Sequence, residues 1–235
     1  MLINHLSFKF DTKNHAYFFK DIAIEFTPHA VNFIQGDNGI GKSTLFNIIQ
    51  GTVDKTAFLD VSITLDSTTY LAHNNMLPSS FTKHVHTVQQ NYDAMIANQF
   101  TVMENLQLAN LPTYPTMRSL SQAMLLDIIK PLGIDMEKPA YLLSGGQRQL
   151  LAIFMALQKS TKVLLLDEPT ATLDKKNAYL VMKCLYELTA QLKVTMLIIC
   201  HDKDLVKKYG QGTNFTMNML ENGERLLLAY NILNM

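Results

Sequence analysis

The stretch Gly36-Asp37-Asn38-Gly39-Ile40-Gly41-Lys42-Ser43-Thr44 constrains this chain more than any other. It follows the apolar run Val31 to Ile34 and opens the helix-like segment Lys42 to Gln50, which stops at Gly51. Glycines at this spacing let successive backbone N–H groups turn to one side as a nest, and the helix start behind them adds partial positive charge. Strand, glycine turn and helix in that order make a cradle for phosphate. Lys42 has the reach for β- and γ-phosphates, and the Ser43 hydroxyl is a ligand suited to Mg²⁺. The plainer reading is a glycine turn that merely caps a helix. A chance match of this pattern is on the order of one in a hundred at ordinary residue frequencies, and the preceding strand lowers that further.

Two more stretches follow the same logic. Val163 to Leu166 is an all-apolar strand that delivers Asp167 and Glu168 at its carboxyl end, where open parallel sheets bind ligands. There Asp167 suits Mg²⁺ through its water shell, and Glu168 suits the activation of an attacking water. Alone, a solvated acidic turn is at least as good a reading; beside a phosphate loop it becomes a minor one. Leu143-Ser144-Gly145-Gly146-Gln147 precedes the apolar helix Leu150 to Leu157. Its hydroxyl and N–H groups form a second anion-seeking helix start. A lone Ser-Gly-Gly reads as an ordinary cap, but here it lies about a hundred residues from the first cradle, which points to a phosphate bound elsewhere, another subunit being one place for it.

The chain has 235 residues, enough for one generous α/β domain. β-like alternation marks Leu2 to Phe10, Tyr17 to Phe26, Val31 to Gln35, Ala57 to Leu65 and Thr68 to Ala72. From about Thr101 to Gly146 the pattern turns helical, with Val102 to Ala109 and Gln122 to Leu132 broken by Pro112, Pro115, Pro131 and Pro139. Strand–helix alternation then returns with Val163 to Leu166, Lys176 to Gln191 and Thr195 to Cys200. Short all-apolar strands between helices imply a parallel sheet covered on both faces, interrupted by a helical insert. Apolar residues make up 48% and charged ones 17%, which excludes disorder and leaves surface for a partner. Twenty basic and twenty acidic side chains cancel, so a general electrostatic grip on nucleic acid is not expected. Cys184 and Cys200 lie in apolar segments and read as reduced core thiols. No apolar run is long enough to cross a bilayer, and the first residues lack an export signal, so any membrane span is expected from another chain.

Taken in order along the whole chain, these motifs resemble the nucleotide-binding subunit of an ATP-binding cassette (ABC) ATPase. The phosphate loop runs from Gly36 to Thr44, and Val88-Gln89-Gln90-Asn91-Tyr92 resembles the family's glutamine loop, with Gln90 the better match. Thr101 to Leu106 resembles the start of the helical subdomain, and Leu143 to Gln147 is the signature motif unchanged. Asp167-Glu168-Pro169-Thr170 completes the magnesium and base strand, and Ala171 to Asp174 resembles the dimer-contact loop. His201, 34 residues past Asp167, matches the switch histidine.

The resemblance implies an α/β P-loop NTPase core with an antiparallel β subdomain and an inserted helical one. Residues 1–90 and 155–235 would form the core with its β subdomain, and about 91–154 the helical part. It implies ATP and Mg²⁺ as cofactors, with Ser43, Gln90 and Asp167 at the metal. Glu168, His201 and Gln90 are the implied catalytic residues, and Phe10 with Gly36, Asp37, Asn38, Gly39, Ile40, Gly41, Lys42, Ser43 and Thr44 the implied ATP contacts. Leu143, Ser144, Gly145, Gly146 and Gln147 would act on the partner's ATP, and Asp174 would meet the partner. The implied partners are a second ATPase subunit, two copies closing head to tail over two ATP molecules, an integral membrane permease, and in importers a substrate-binding protein. The implied place is the cytoplasmic face of the inner or plasma membrane. A soluble ABC ATPase of cofactor assembly or cell division is the alternative, and a scaffold with little turnover a third.

Some positions depart from the family or carry competing readings. Phe10 fits the adenine-stacking position, while Tyr17 stays open because Asp11 to Tyr17 is longer than usual. Two arginines common after the signature are Leu150 and Met155 here. The run Gln147 to Ala152 resembles bacterial importer ATPases, amino-acid uptake systems among them. His84 and His86 could share a metal, but without a third ligand a surface pair is the better reading. The 13 methionines read mostly as core fillers, with Met95, Met103 and Met117 near the expected docking face. Lys203, Lys207 and Lys208 read as a solvated helix face.

Overall fold

The computed structural model describes residues 1–12, 16–110, 129, 132–157, 160–210 and 212–230. Strands β3 (Val31–Gln35), β7 (Val163–Asp167) and β8 (Thr195–Ile199) are apolar and almost wholly buried. They lie parallel with β6 (Val85–Val88). A C-terminal hairpin, β9 (Asn214–Met219) and β10 (Arg225–Tyr230), extends this sheet to the order β10-β9-β3-β8-β7-β6. A second, antiparallel sheet of β1 (Leu2–Lys9), β2 (Ile24–Glu25), β4 (Phe58–Leu65) and β5 (Thr68–Leu71) has the order β2-β1-β4-β5.

The period of two explains why the central strands carry apolar side chains on both faces. Phe33, Leu164, Leu166, Met196 and Ile198 face one hydrophobic cluster, while Ile34, Val163, Leu165, Leu197 and Ile199 face the other. The first cluster is closed by α3 (Val102–Asn110), α4 (Gly145–Leu157), α5 (Lys175–Leu192) and α6 (Lys203–Tyr209). The second is closed by α1 (Lys42–Gln50), α2 (Ser79–Thr82) and the antiparallel sheet. Leu165 is fully buried, so a polar side chain there would lose about 1.5–3 kcal/mol of apolar burial before any desolvation penalty.

Helix starts follow their caps. The Asp174 carboxylate accepts from Asn177 N to begin α5, and Asp202 accepts from Asp204 N and Leu205 N to begin α6. Thr101 and Glu104 bond each other's backbone N–H ahead of α3, a reciprocal capping box.

The expected strand Tyr17 to Phe26 is reduced to β2 and an isolated bridge at Phe19, because Asp21 at φ 48° turns the chain. The C-terminal hairpin is an element that the apolar pattern did not single out. Of the expected helix Gln122 to Leu132, only Ile129 and Leu132 are described; Met117 also lies outside the described residues. Cys184 and Cys200 are free and buried, and burial pushes their thiols up to about 12 and about 11. Among the described residues no helix is long and apolar enough to cross a membrane.

Candidate functional site

The phosphate loop leaves β3 and is held from behind by the β9–β10 hairpin. Gly36 lies at φ 145°, and a Cβ there would come within 2.7 Å of the Met217 carbonyl oxygen. Gly41 lies at φ 118°, where a Cβ would come within 2.5 Å of Phe18 Cζ. Any side chain at either position would open the loop. Lys42, the first residue of α1, is buried, and its Nζ donates to the carbonyls of Gly36 and Asp37 at 2.8 Å each. Desolvation holds its pKa below the ordinary lysine value, against the pull of Glu168, Asp167 and Asp37. Ser43 Oγ donates to Asp167 Oδ2 at 3.1 Å, which joins the loop to the end of β7. Burial raises the Asp167 carboxyl, and the Ser43 bond pulls it partly back.

Glu168 adopts φ 48°, a left-handed conformation that costs a non-glycine residue on the order of 1–3 kcal/mol. Its N–H donates to the Ile199 carbonyl at 3.1 Å, so the neighbouring strand end fixes the bend. Its Oε1 lies 3.1 Å from His201 Nε2, just beyond β8. Asn38, Gly39, Gly41, Lys42, Ser43, Thr44, Gln90, Asp167 and Glu168 line one open cleft of about 430 Å³. Three distant segments thus meet in a single space. Gln90, not Gln89, belongs to its lining. His201 lines a neighbouring cleft of about 400 Å³ with Glu168, Thr170, Leu173 and Lys175, so the Glu168–His201 pair stands between the two.

The aromatic question left open by sequence is narrowed by packing. Phe10 is 56% exposed and meets Phe18 edge-on at 4.8 Å, and Phe18 is the ring against Gly41. Tyr17 is turned to other partners: Lys9 Nζ sits 4.2 Å from its ring centre, and Phe58 packs against it at 6.3 Å.

At the start of α4, Ser144 and Gln147 form a second capping box. Ser144 N donates to Gln147 Oε1 at 3.1 Å, and Gln147 N donates to Ser144 Oγ at 3.3 Å. Ser144 and Gly145 are exposed, Gly146 and Leu143 are buried, and none of the five lines the phosphate cleft. Tyr92 Oη donates to the Gly145 carbonyl at 3.2 Å, and Arg148 Nε donates to Asp93 at 3.0 Å. The segment after Gln90 is therefore bonded to the signature helix, which neither motif alone announced. Leu150 is fully buried and Met155 packs against the same core, so these two positions serve packing here. His84 Nδ1 is within 3.0 Å of the Ser160 carbonyl oxygen and His86 Nδ1 within 3.0 Å of Thr161 Oγ1; among the described residues no cluster of three or more potential metal ligands was found. Lys203, Lys207 and Lys208 are exposed on α6.

A model of the ABC transporter family matches residues 19–171. The chain is 34% identical over 227 residues to the tyrosine transport ATP-binding protein of Clostridioides difficile (strain R20291), covering 89% of this chain and 82% of that protein. It is 30% identical to the lipoprotein-releasing system ATP-binding protein LolD of Buchnera aphidicola subsp. Schizaphis graminum, with 80% of each chain covered. Among solved structures it is similar to cbiO1 from Clostridium perfringens, part of the ABC transporter complex cbiONQ. That match has a TM-score of 0.69 and 26% identity, over 99% of this chain and 90% of that one. With its phosphate loop, carboxylate pair and signature turn in place, the chain belongs to the ABC transporter family, as an ATP-binding and ATP-hydrolysing subunit.

Proposed function

We propose that this subunit uses Mg²⁺–ATP to drive a bacterial importer from the cytoplasmic face of the membrane. The observation that carries this reading is the single cleft joining Lys42, Ser43, Gln90, Asp167 and Glu168. Phosphate oxygens would accept from the loop N–H groups, and Lys42 would exchange its two loop carbonyls for β- and γ-oxygens. Ser43 Oγ and Asp167 Oδ2, already within 3.1 Å of each other, are hard oxygen donors that fit Mg²⁺, an ion that binds through one or two carboxylates, substrate phosphates and retained water. Bound there, the ion would neutralise charge on the transferred phosphoryl group. Glu168 would take the proton of the attacking water once His201 swings from Glu168 Oε1 to the γ-phosphate. Gln90 would report the metal site to the segment after it, and residues about 91–154 would follow as a helical subdomain. Phe10 would stack on adenine.

Subunits of this family pair as dimers and work with membrane permeases. The exposed Ser144–Gly145 corner, away from this chain's own cleft, supports a head-to-tail homodimer in which it reaches the partner's ATP, with Asp174 at the contact. The C. difficile relative supports amino-acid uptake as the cargo class, and with it a substrate-binding protein. The test uses Glu168→Gln trapped with ATP as bait in a crosslinked pull-down from native membranes and cytosol. A polytopic membrane protein recovered in proportion to the bait, with an extracytoplasmic amino-acid-binding protein, supports the importer. Recovery of soluble partners only removes it.

A further inference from the structure

We propose that Arg225 is a positioning residue for nucleotide binding, setting the phosphate loop and the aromatic platform with one guanidinium. It rests on the reading of Gly36–Thr44 and Phe10 as the nucleotide contacts. Arg225 opens β10, and its backbone N–H donates to the Phe18 carbonyl at 2.9 Å, which seats the side chain between the hairpin and the loop. Its guanidinium carbon lies 4.1 Å from the centre of the Phe18 ring, within cation–π range. Nε donates to the Ile40 carbonyl at 3.2 Å, and Nη1 donates to the carbonyl of Gly223, in the turn of its own hairpin.

Two consequences follow from covalent geometry and packing. In a trans peptide the carbonyl of Ile40 and the N–H of Gly41 point in opposite directions. Tying that carbonyl to Arg225 aims the Gly41 N–H away from the guanidinium, and Gly41 is part of the cleft lining. On the other side, Phe18 fills the space that a side chain at Gly41 would need and supports the exposed Phe10 edge-on. A planar fork that stacks and donates at once meets both demands. An ammonium in its place can satisfy one of them, not both.

The experiment measures ATP hydrolysis and nucleotide affinity for wild type, Arg225→Met, Arg225→Lys and Phe18→Leu, with thermal melts alongside. The expected result for Arg225→Met is a KM for ATP about tenfold higher with kcat at saturating ATP within about twofold, since the catalytic groups are untouched. Arg225→Lys should recover part of that loss. Affinity for inorganic tripolyphosphate should fall less than affinity for ATP, because only the loop arm acts on it. Phe18→Leu should raise KM similarly, and Arg225→Met should add less than its full effect to Phe18→Leu. If Arg225→Met does not fold, Arg225→Lys and Phe18→Leu carry the test by the same KM-against-kcat split. Unchanged KM in folded Arg225→Met, or a fall in kcat alone, overturns the proposal while leaving the ATP site standing. A wild-type chain that does not bind ATP overturns the underlying reading and this one with it.

Discussion

Two helix starts in this chain are built for anions, and they are finished in opposite ways. At α1 the loop is tied to its own chain: Asp37, Asn38, Gly39 and Ser43 are exposed, but Lys42 is buried and Ser43 bonds Asp167 from a strand more than a hundred residues away. At α4 the turn is open: Ser144 and Gly145 are exposed, flanked by Tyr141 and Leu142, each about half exposed. Backbone physics is the same at both, since each offers N–H groups at the positive end of a helix. What differs is the company. The first gathers lysine, carboxylates and glutamine from its own chain, whereas the second has its capping box and bonds to Tyr92, Asp93 and the Gly133 carbonyl. In the proposed head-to-tail dimer, the second start would gain its remaining ligands from the other subunit.

The contrast can be broken by substitutions on each side. Glu168→Gln should slow turnover by about 10²- to 10⁴-fold while ATP affinity stays within a few-fold, because the amide keeps the shape and loses the base; wild-type turnover would remove Glu168 from that role. Lys42→Ala should weaken ATP binding on the order of 100-fold by deleting charge-assisted bonds to phosphate, read by calorimetry, and unchanged affinity would sink the loop assignment. Ser144→Arg should leave the monomer's ATP affinity within about threefold, yet abolish ATP-dependent dimers in sedimentation. Wild-type dimers in that variant would show that the open corner needs no partner.

The smallest effect concerns stability. Burial raises Asp167 above its ordinary value of 3.8, so the folded chain binds a proton more readily than the unfolded one. Stability then falls as pH rises from that ordinary value through the raised one, and neutral pH carries the full penalty. Asp167→Asn should therefore raise the Tm at pH 7 and flatten the acid limb of the stability curve. A lowered Tm would mean that the Ser43 bond outweighs the burial.

Much of this was legible because the decisive signals are local. Lys42–Gln50 folds with the bounds its sequence implies, and β7, β8 and α5 agree to within a residue at each end. Short apolar runs between polar breaks leave few alternatives, and Asp174 caps its own helix three residues on. The misses depend on what a segment meets. Nothing in Tyr17 to Phe26 shows that Asp21 takes a positive φ and ends the pairing. Asn222-Gly223 is a hairpin signal, and it stands two residues before Arg225. The role of Arg225 was still invisible, because its acceptor, Ile40, lies 185 residues away. The packing of Tyr17 against Lys9 and Phe58 was likewise invisible in the sequence, since Phe58 lies 41 residues on.

The hairpin at the end of the chain has a consequence for how the protein is made. Gly36 packs on Met217, and Ile40 waits for Arg225, so the phosphate loop is completed by residues made up to 185 positions after it. At 5–20 residues per second, roughly 10–40 s separate the two on the ribosome. For that interval the nascent chain has its nucleotide loop but not the wall behind it, so the cradle closes only after β9 and β10 have been made.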